Sequence, residues 1–166
     1  GEEKNNFLME LYLKNEKDKQ LMFDIYDHEV PEFITKINES HNERQKFYEL
    51  KKAKIDWSEN FDFYAKASLD FYHYSKKEFY PLIHKIRSGK DISSQLPKDF
   101  YSFRSTINFN DSLLINYSPF VRYLSNMMNN VAFENNYQYA ANVEKSLELN
   151  IKKLHIADSI FTNHKI

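Results

Sequence analysis

No cysteine occurs anywhere in the 166 residues. The chain therefore carries no disulfide, no thiolate metal site, no cysteine nucleophile and no redox chemistry of its own. Glycine is almost as scarce, with Gly89 the only one after the first residue. Sheet architectures draw on glycine, asparagine and proline for their tight turns, whereas helix bundles need few, so this shortage favours helices. It also removes the glycine-rich cradles that hold phosphate: there is no P-loop, no Gly-x-Gly-x-x-Gly and no Gly-x-Ser-x-Gly. Neither sign of charge prevails, since Lys plus Arg number 23 and Asp plus Glu 24. Without a summed field to gather phosphate backbones, nucleic acid is not an expected partner. No apolar run approaches the roughly 20 residues that span a bilayer, and none reads as a signal peptide, so this segment is not expected to insert into a membrane.

What is present is the composition of a globular helical domain, 42% hydrophobic and 16% aromatic. A chain of this length buries roughly 68 to 70% of its unfolded surface, enough for one core and one domain over residues 1–166. The chain opens on Gly1 and stops at Asn163-His164-Lys165-Ile166, straight after a periodic stretch and without a glycine or proline stop. That pattern reads as a piece excised from a longer multidomain protein, with Gly1 left either by tag removal or by genuine processing before a glycine.

Periodicity places the helices. From Trp57, the positions Phe61, Tyr64, Ala65, Ser68, Tyr72, Ser75, Phe79, Leu82, Ile83 and Ile86 step by threes and fours along one stripe. Ser58 suits the N-cap and Gly89 the stop, while Pro81 predicts a kink or break near Phe79. A second helix follows Ser118-Pro119, with Phe120, Val121, Leu124, Met127, Met128 and Val131 as its stripe and a short helical lead-in over 111–116. A last amphipathic helix carries Ala140, Val143, Leu147, Ile151, Leu154 and Phe161 on its core side. Near the start, Phe7, Leu8, Leu11 and Tyr12 open a helix that either runs on through Leu21, Phe23 and Ile25 or breaks at the charged segment 15–18. Pro31 begins another, with Phe33, Ile34, Ile37, Phe47, Tyr48 and Leu50 as its apolar positions. The fold class is all-α, an irregular bundle of about five to seven helices with one long loop around residues 89–110. Connections of that length are uncommon in compact domains, which marks this one for mobility or function.

Candidate chemistry is thin. The six histidines lack Glu-x-x-His and His-Glu-x-x-His spacings, so neither a metal nor another cofactor is expected. Asp24 with His28, Asp70 with His73, and Asp158 with His155 fall at helical spacing, as ordinary surface charge pairs do. An enzyme using His73 with Asp70 is the least favoured reading, and no catalytic residue is assigned. Phe63, Phe71 and Tyr74 lie off the main stripe of their helix, which is therefore either buried on two sides or offers a partner surface. A small-molecule or peptide binding bundle with an aromatic-lined pocket near Phe71 and Tyr74 is the alternative to a pure scaffold.

Several segments resemble a known family. They are Glu3-Lys4-Asn5-Asn6-Phe7-Leu8, Leu96-Pro97-Lys98-Asp99-Phe100-Tyr101, Ser112-Leu113-Leu114 leading into Tyr117-Ser118-Pro119-Phe120-Val121-Arg122-Tyr123-Leu124, and Leu154-His155-Ile156-Ala157-Asp158. Together they are similar to the helical region of TlpA-like thiol-disulfide oxidoreductases of Bacteroidetes, exported proteins in which that region lies between a small β-domain and a thioredoxin-like domain. The family's catalytic Cys-x-x-Cys belongs to the thioredoxin-like domain and has no counterpart here. The resemblance implies a noncatalytic scaffold or interaction domain in the periplasm or cell envelope. Its expected partners are the flanking domains of the parent chain and a substrate protein.

Overall fold

The computed structural model describes residues 2–133 and 143–163, without the side chains of 17–22, 143–145 and 163. Ala140, His164 and the side chains of Leu21 and Val143 thus lie outside the described residues. The elements are α1 (Glu2–Asp24), α2 (Val30–Lys52), α3 (Glu59–Ser88), α4 (Ser118–Phe133) and α5 (Val143–Asn163), with short 3-10 turns at Ile25–Asp27, Ser93–Gln95 and Ser102–Thr106. Among the described residues there is no strand, and the protein is an all-α helical bundle. No described helix is long and apolar enough to cross a membrane.

α3 is the axis of the bundle, packed against α4 on one side and α2 on the other. Its start is set by Ser58, whose hydroxyl accepts from the Phe61 N–H at 3.4 Å, a cap worth about 1 kcal/mol. Its end is set by Gly89, which adopts the left-handed conformation at φ 73° while its N–H closes back on the Lys85 carbonyl. The kink or break expected at Pro81 is not a break: the helix runs unbroken from Glu59 to Ser88. Pro81 is itself buried, so packing around the ring compensates for the hydrogen bond it removes. α1 is likewise continuous through the charged segment.

Three apolar clusters form the interior. Phe71 of α3 meets Phe120, Tyr123 and Met127 of α4, together with Phe103 and Phe109 from the connection between those helices. Phe33 of α2 stacks on Tyr80 of α3 with ring centroids 3.6 Å apart, beside Ile25, Ile37, Ile92 and Phe100. Phe7 and Leu11 of α1 close over Tyr48, Trp57, Ala65 and Leu69. α3 is therefore apolar on more than one side, and the single stripe expected for it is incomplete: Leu69, Tyr80 and His84 are buried while Ile86 is exposed.

The long connection runs from Gly89 to Tyr117 and is anchored along its length. Ile92, Phe100, Phe103, Phe109 and Leu114 are buried, and successive turns close through Phe100 N–H to Pro97 carbonyl and Leu114 N–H to Asp111 carbonyl. The lead-in helix expected over 111–116 is a run of such turns, and α4 starts at Ser118, so Ser118-Pro119 opens the helix and does not precede it.

α5 departs most from expectation. Its packed residues are Leu149, Lys153, Ile156 and Ile160, the last fully buried against α4 and the connection. Leu147, Ile151, Leu154 and Phe161, expected to face the core, are exposed. Both sets recur every three or four residues, and they lie on nearly opposite faces of the helix.

Candidate functional site

The three residues singled out on α3 come together around one feature. Phe63, Phe71 and Tyr74 line a concavity of about 360 Å³ between α3 and the connection, where Ile107, Asp111 and Leu114 form the opposite wall. Phe71 is core, edge-on to Phe120 with centroids 5.2 Å apart. Tyr74 is half-buried and stacks on Phe103 at 4.4 Å. Phe63, also half-buried, packs edge-on to Tyr64. Burial raises the Tyr74 hydroxyl above its ordinary pKa, with the Asp70 charge adding to the shift. Phe71 also lines a second, solvent-open cavity of about 450 Å³ bordered by α1, α3 and α4.

Below these cavities α3 carries a buried polar centre. Glu78 is fully buried and receives a bidentate pair from Arg104, Nε to Oε1 at 2.8 Å and Nη2 to Oε2 at 2.7 Å. The Asn130 amide donates to Glu78 Oε2 at 2.8 Å and to the Tyr101 hydroxyl at 3.0 Å. The Arg104 guanidinium also lies 4.0 Å from the Tyr101 ring centroid. Helix α3, the connection and α4 are thus tied at one carboxylate, satisfied on both oxygens as a buried charge requires. With three donors fixed on its two oxygens, the carboxylate is arranged to hold these elements together.

A second polar group sits between α2 and α3. The rings of His41 and His73 stack with centroids 4.4 Å apart, and His73 donates to the Ile37 carbonyl. His41 Nε2 lies 3.8 Å from Asp70 Oδ1, while its Nδ1 is buried without a hydrogen-bond partner among the described residues. Burial, the neighbouring His41 and the Lys77 and Lys76 charges push the His73 imidazole down to about 3. Burial, Arg44 and Lys76 lower His41 as well, while burial raises the Asp70 carboxyl. Both rings are therefore neutral at pH 7. Asp70, expected to pair with His73 as its neighbour in sequence, faces His41 of α2 instead. His28 pairs with Glu32 at 3.2 Å, not with Asp24. Among the described residues, no group of three His, Asp or Glu side chains could hold a metal ion.

Sequence reasoning missed both polar groups. Arg104 and Asn130 stand 26 and 52 residues from Glu78, and His41 meets His73 across two helices, so no local spacing announces either. Comparisons with family models, curated proteins and solved structures give no match to this chain.

Proposed function

We propose that this chain is a noncatalytic helical interaction domain that docks a protein surface on the outer face of α5. The observation that supports it is the stripe Leu147, Ile151, Leu154 and Phe161, exposed by 59%, 44%, 69% and 39% on one side of a helix whose other side is already packed. Apolar side chains repeated at helical spacing and left in water are the usual mark of a face that another surface covers. In the setting of a TlpA-like parent protein the covering surface is the thioredoxin-like domain that follows the helical region, and the location is extracytoplasmic.

The test starts from the parent open reading frame, where a downstream thioredoxin-like region with Cys-x-x-Cys is expected and its absence removes the redox connection. In the parent protein, Leu154→Glu is then expected to free the two domains, read as faster proteolysis between them. The same change leaves the stability of the helical domain within about 0.5 kcal/mol, because Leu154 contributes to none of its clusters. An unchanged cleavage rate rejects α5 as the docking face. The alternative reading, a small-molecule or peptide binding bundle, is favoured by the concavity that Phe63, Phe71 and Tyr74 share.

A further inference from the structure

The structure assigns an acid-sensitive latch to the seam between α2 and α3: protonation at His41 and His73 releases α2 from α3, while α3, the connection and α4 stay assembled. The latch is independent of the docking face of α5.

The molecule is built in two unequal parts. The cluster around Phe71, Phe120, Tyr123 and Met127 draws its buried residues from α3, the connection, α4 and α5, and none from α1 or α2. Glu78, Arg104 and Asn130 tie α3, the connection and α4 a second time. That part therefore has its own core and its own polar tie. α2 is laid against it mainly along α3. Apolar contacts hold α2 around Phe33 and Ile37 toward one end and around Tyr48 toward the other. The two histidines meet between these contacts, where the seam is polar.

Three features make the closed seam resist protons. The rings stack with centroids 4.4 Å apart, a separation at which two imidazolium ions repel strongly. His41 Nδ1 is buried without a hydrogen-bond partner among the described residues. An imidazolium carries a proton on both nitrogens, so acid would create a buried charged donor there with no acceptor. Positive charge already surrounds the pair, from Arg44 on α2 and from Lys76 and Lys77 on α3. Asp70 of α3 opposes it, 3.8 Å from His41 Nε2. Asp99 of the connection and Glu78 act on Lys77, one step removed. The remaining titratable neighbours are Tyr74, whose ring lies edge-on to His73, and Tyr72, whose ring carries Arg44 and Lys76.

Once α2 lifts, both rings enter water and take up protons near pH 6.5. A ring kept neutral in the closed seam, as His73 is down to about 3, thus favours the open form roughly 25-fold more at pH 5 than at pH 7. Asp70 works against this, because burial raises its carboxyl in the closed form.

Amide hydrogen exchange, taken relative to the unprotected rate at each pH, tests the latch. From pH 7 to pH 5, α2 amides between Ile37 and Tyr48 should lose about tenfold or more in protection, while α4 amides between Phe120 and Met127 change less than about threefold. His73→Gln keeps a donor for the Ile37 carbonyl and cannot gain charge, so it should shrink the loss in α2 at least fivefold. If that variant does not fold, the contrast between α2 and α4 in the parent sequence decides alone. Equal losses in α2 and α4 would overturn the latch by showing that acid opens the molecule as one unit. Unchanged protection of α2 at pH 5, or a loss that His73→Gln leaves intact, would overturn it as well.

Discussion

Replacing Arg104 by leucine is expected to destabilise the protein by about 3–5 kcal/mol, because the change strands a charge that the fold has taken completely out of water. Glu78 has no exposed surface, and two of its donors belong to the arginine. Asn130 is left as the remaining donor among those described, too little to offset the desolvation of a carboxylate. The loss should appear as a lower urea midpoint. It should fall mainly on the segment 89–117, whose amides between Phe100 and Leu114 lose protection from hydrogen exchange first. Removing both charges, by Glu78→Leu with Arg104→Leu, should recover more than half of the loss, since two apolar side chains of similar size leave no stranded ion. Losses that simply add would show that the pair is not the coupled unit its geometry describes.

The second large effect comes from pH. His41 and His73 are held neutral in the folded protein, whereas an unfolded chain binds a proton at each near 6.5. With the folded pKa depressed, stability is fully present above 6.5 and falls as pH drops below it. The loss continues down to the folded value, about 3 for His73. The slope is about 1.4 kcal/mol per pH unit for one such histidine, so roughly 3 kcal/mol is lost between pH 6.5 and 4.5. The charged groups around the rings are Arg44 of α2 and Lys76 and Lys77 of α3, which resist a further positive charge, and Asp70, which favours one. Asp70 also works against the trend, because burial raises its carboxyl above the unfolded value and the folded state takes up that proton more readily as acid is added. Urea midpoints measured from pH 7.5 to 4.5 should therefore fall less steeply in His73→Gln than in the parent sequence. Parallel curves would mean that the pair does not govern the acid limb.

The fold class could be read in advance because its signals are local. Ser58 and Gly89 bracket α3 with a hydroxyl that suits a first turn and a residue free to take positive φ, and neither needs a distant partner to act. Pro31 in the first turn of α2 is of the same kind. The choice between faces was not legible. On α5, Leu149, Ile156 and Ile160 are as apolar and as regularly spaced as Leu147, Ile151 and Leu154, so periodicity finds two stripes and cannot rank them. Only the position of α4 decides. Lys153 even sits within the packed stripe, where its long aliphatic stem can lie along apolar surface.

Charged residues misled for the opposite reason. Glu78 and Arg44 are charged types that usually stay in water, yet both are buried, because Arg104 and Asn15 reach them from other elements. Phe63, Phe71 and Tyr74 were conspicuous as an excess over one stripe. That α3 uses this excess to border two cavities, both lined by Phe71, depends on where α1, α4 and the connection fall.

Tyr123 and Met127 lie at the heart of the α4 contact with no exposed surface, the tyrosine hydroxyl donating to the methionine sulfur at 3.3 Å. Met9 on α1, by contrast, stands 58% exposed. Peroxide therefore reaches one thioether freely and the other only when the protein opens, since sulfoxide formation requires oxidant at the sulfur. The chain carries its own chemical clock, in which the ratio of the two oxidised methionines records how often its interior is breached.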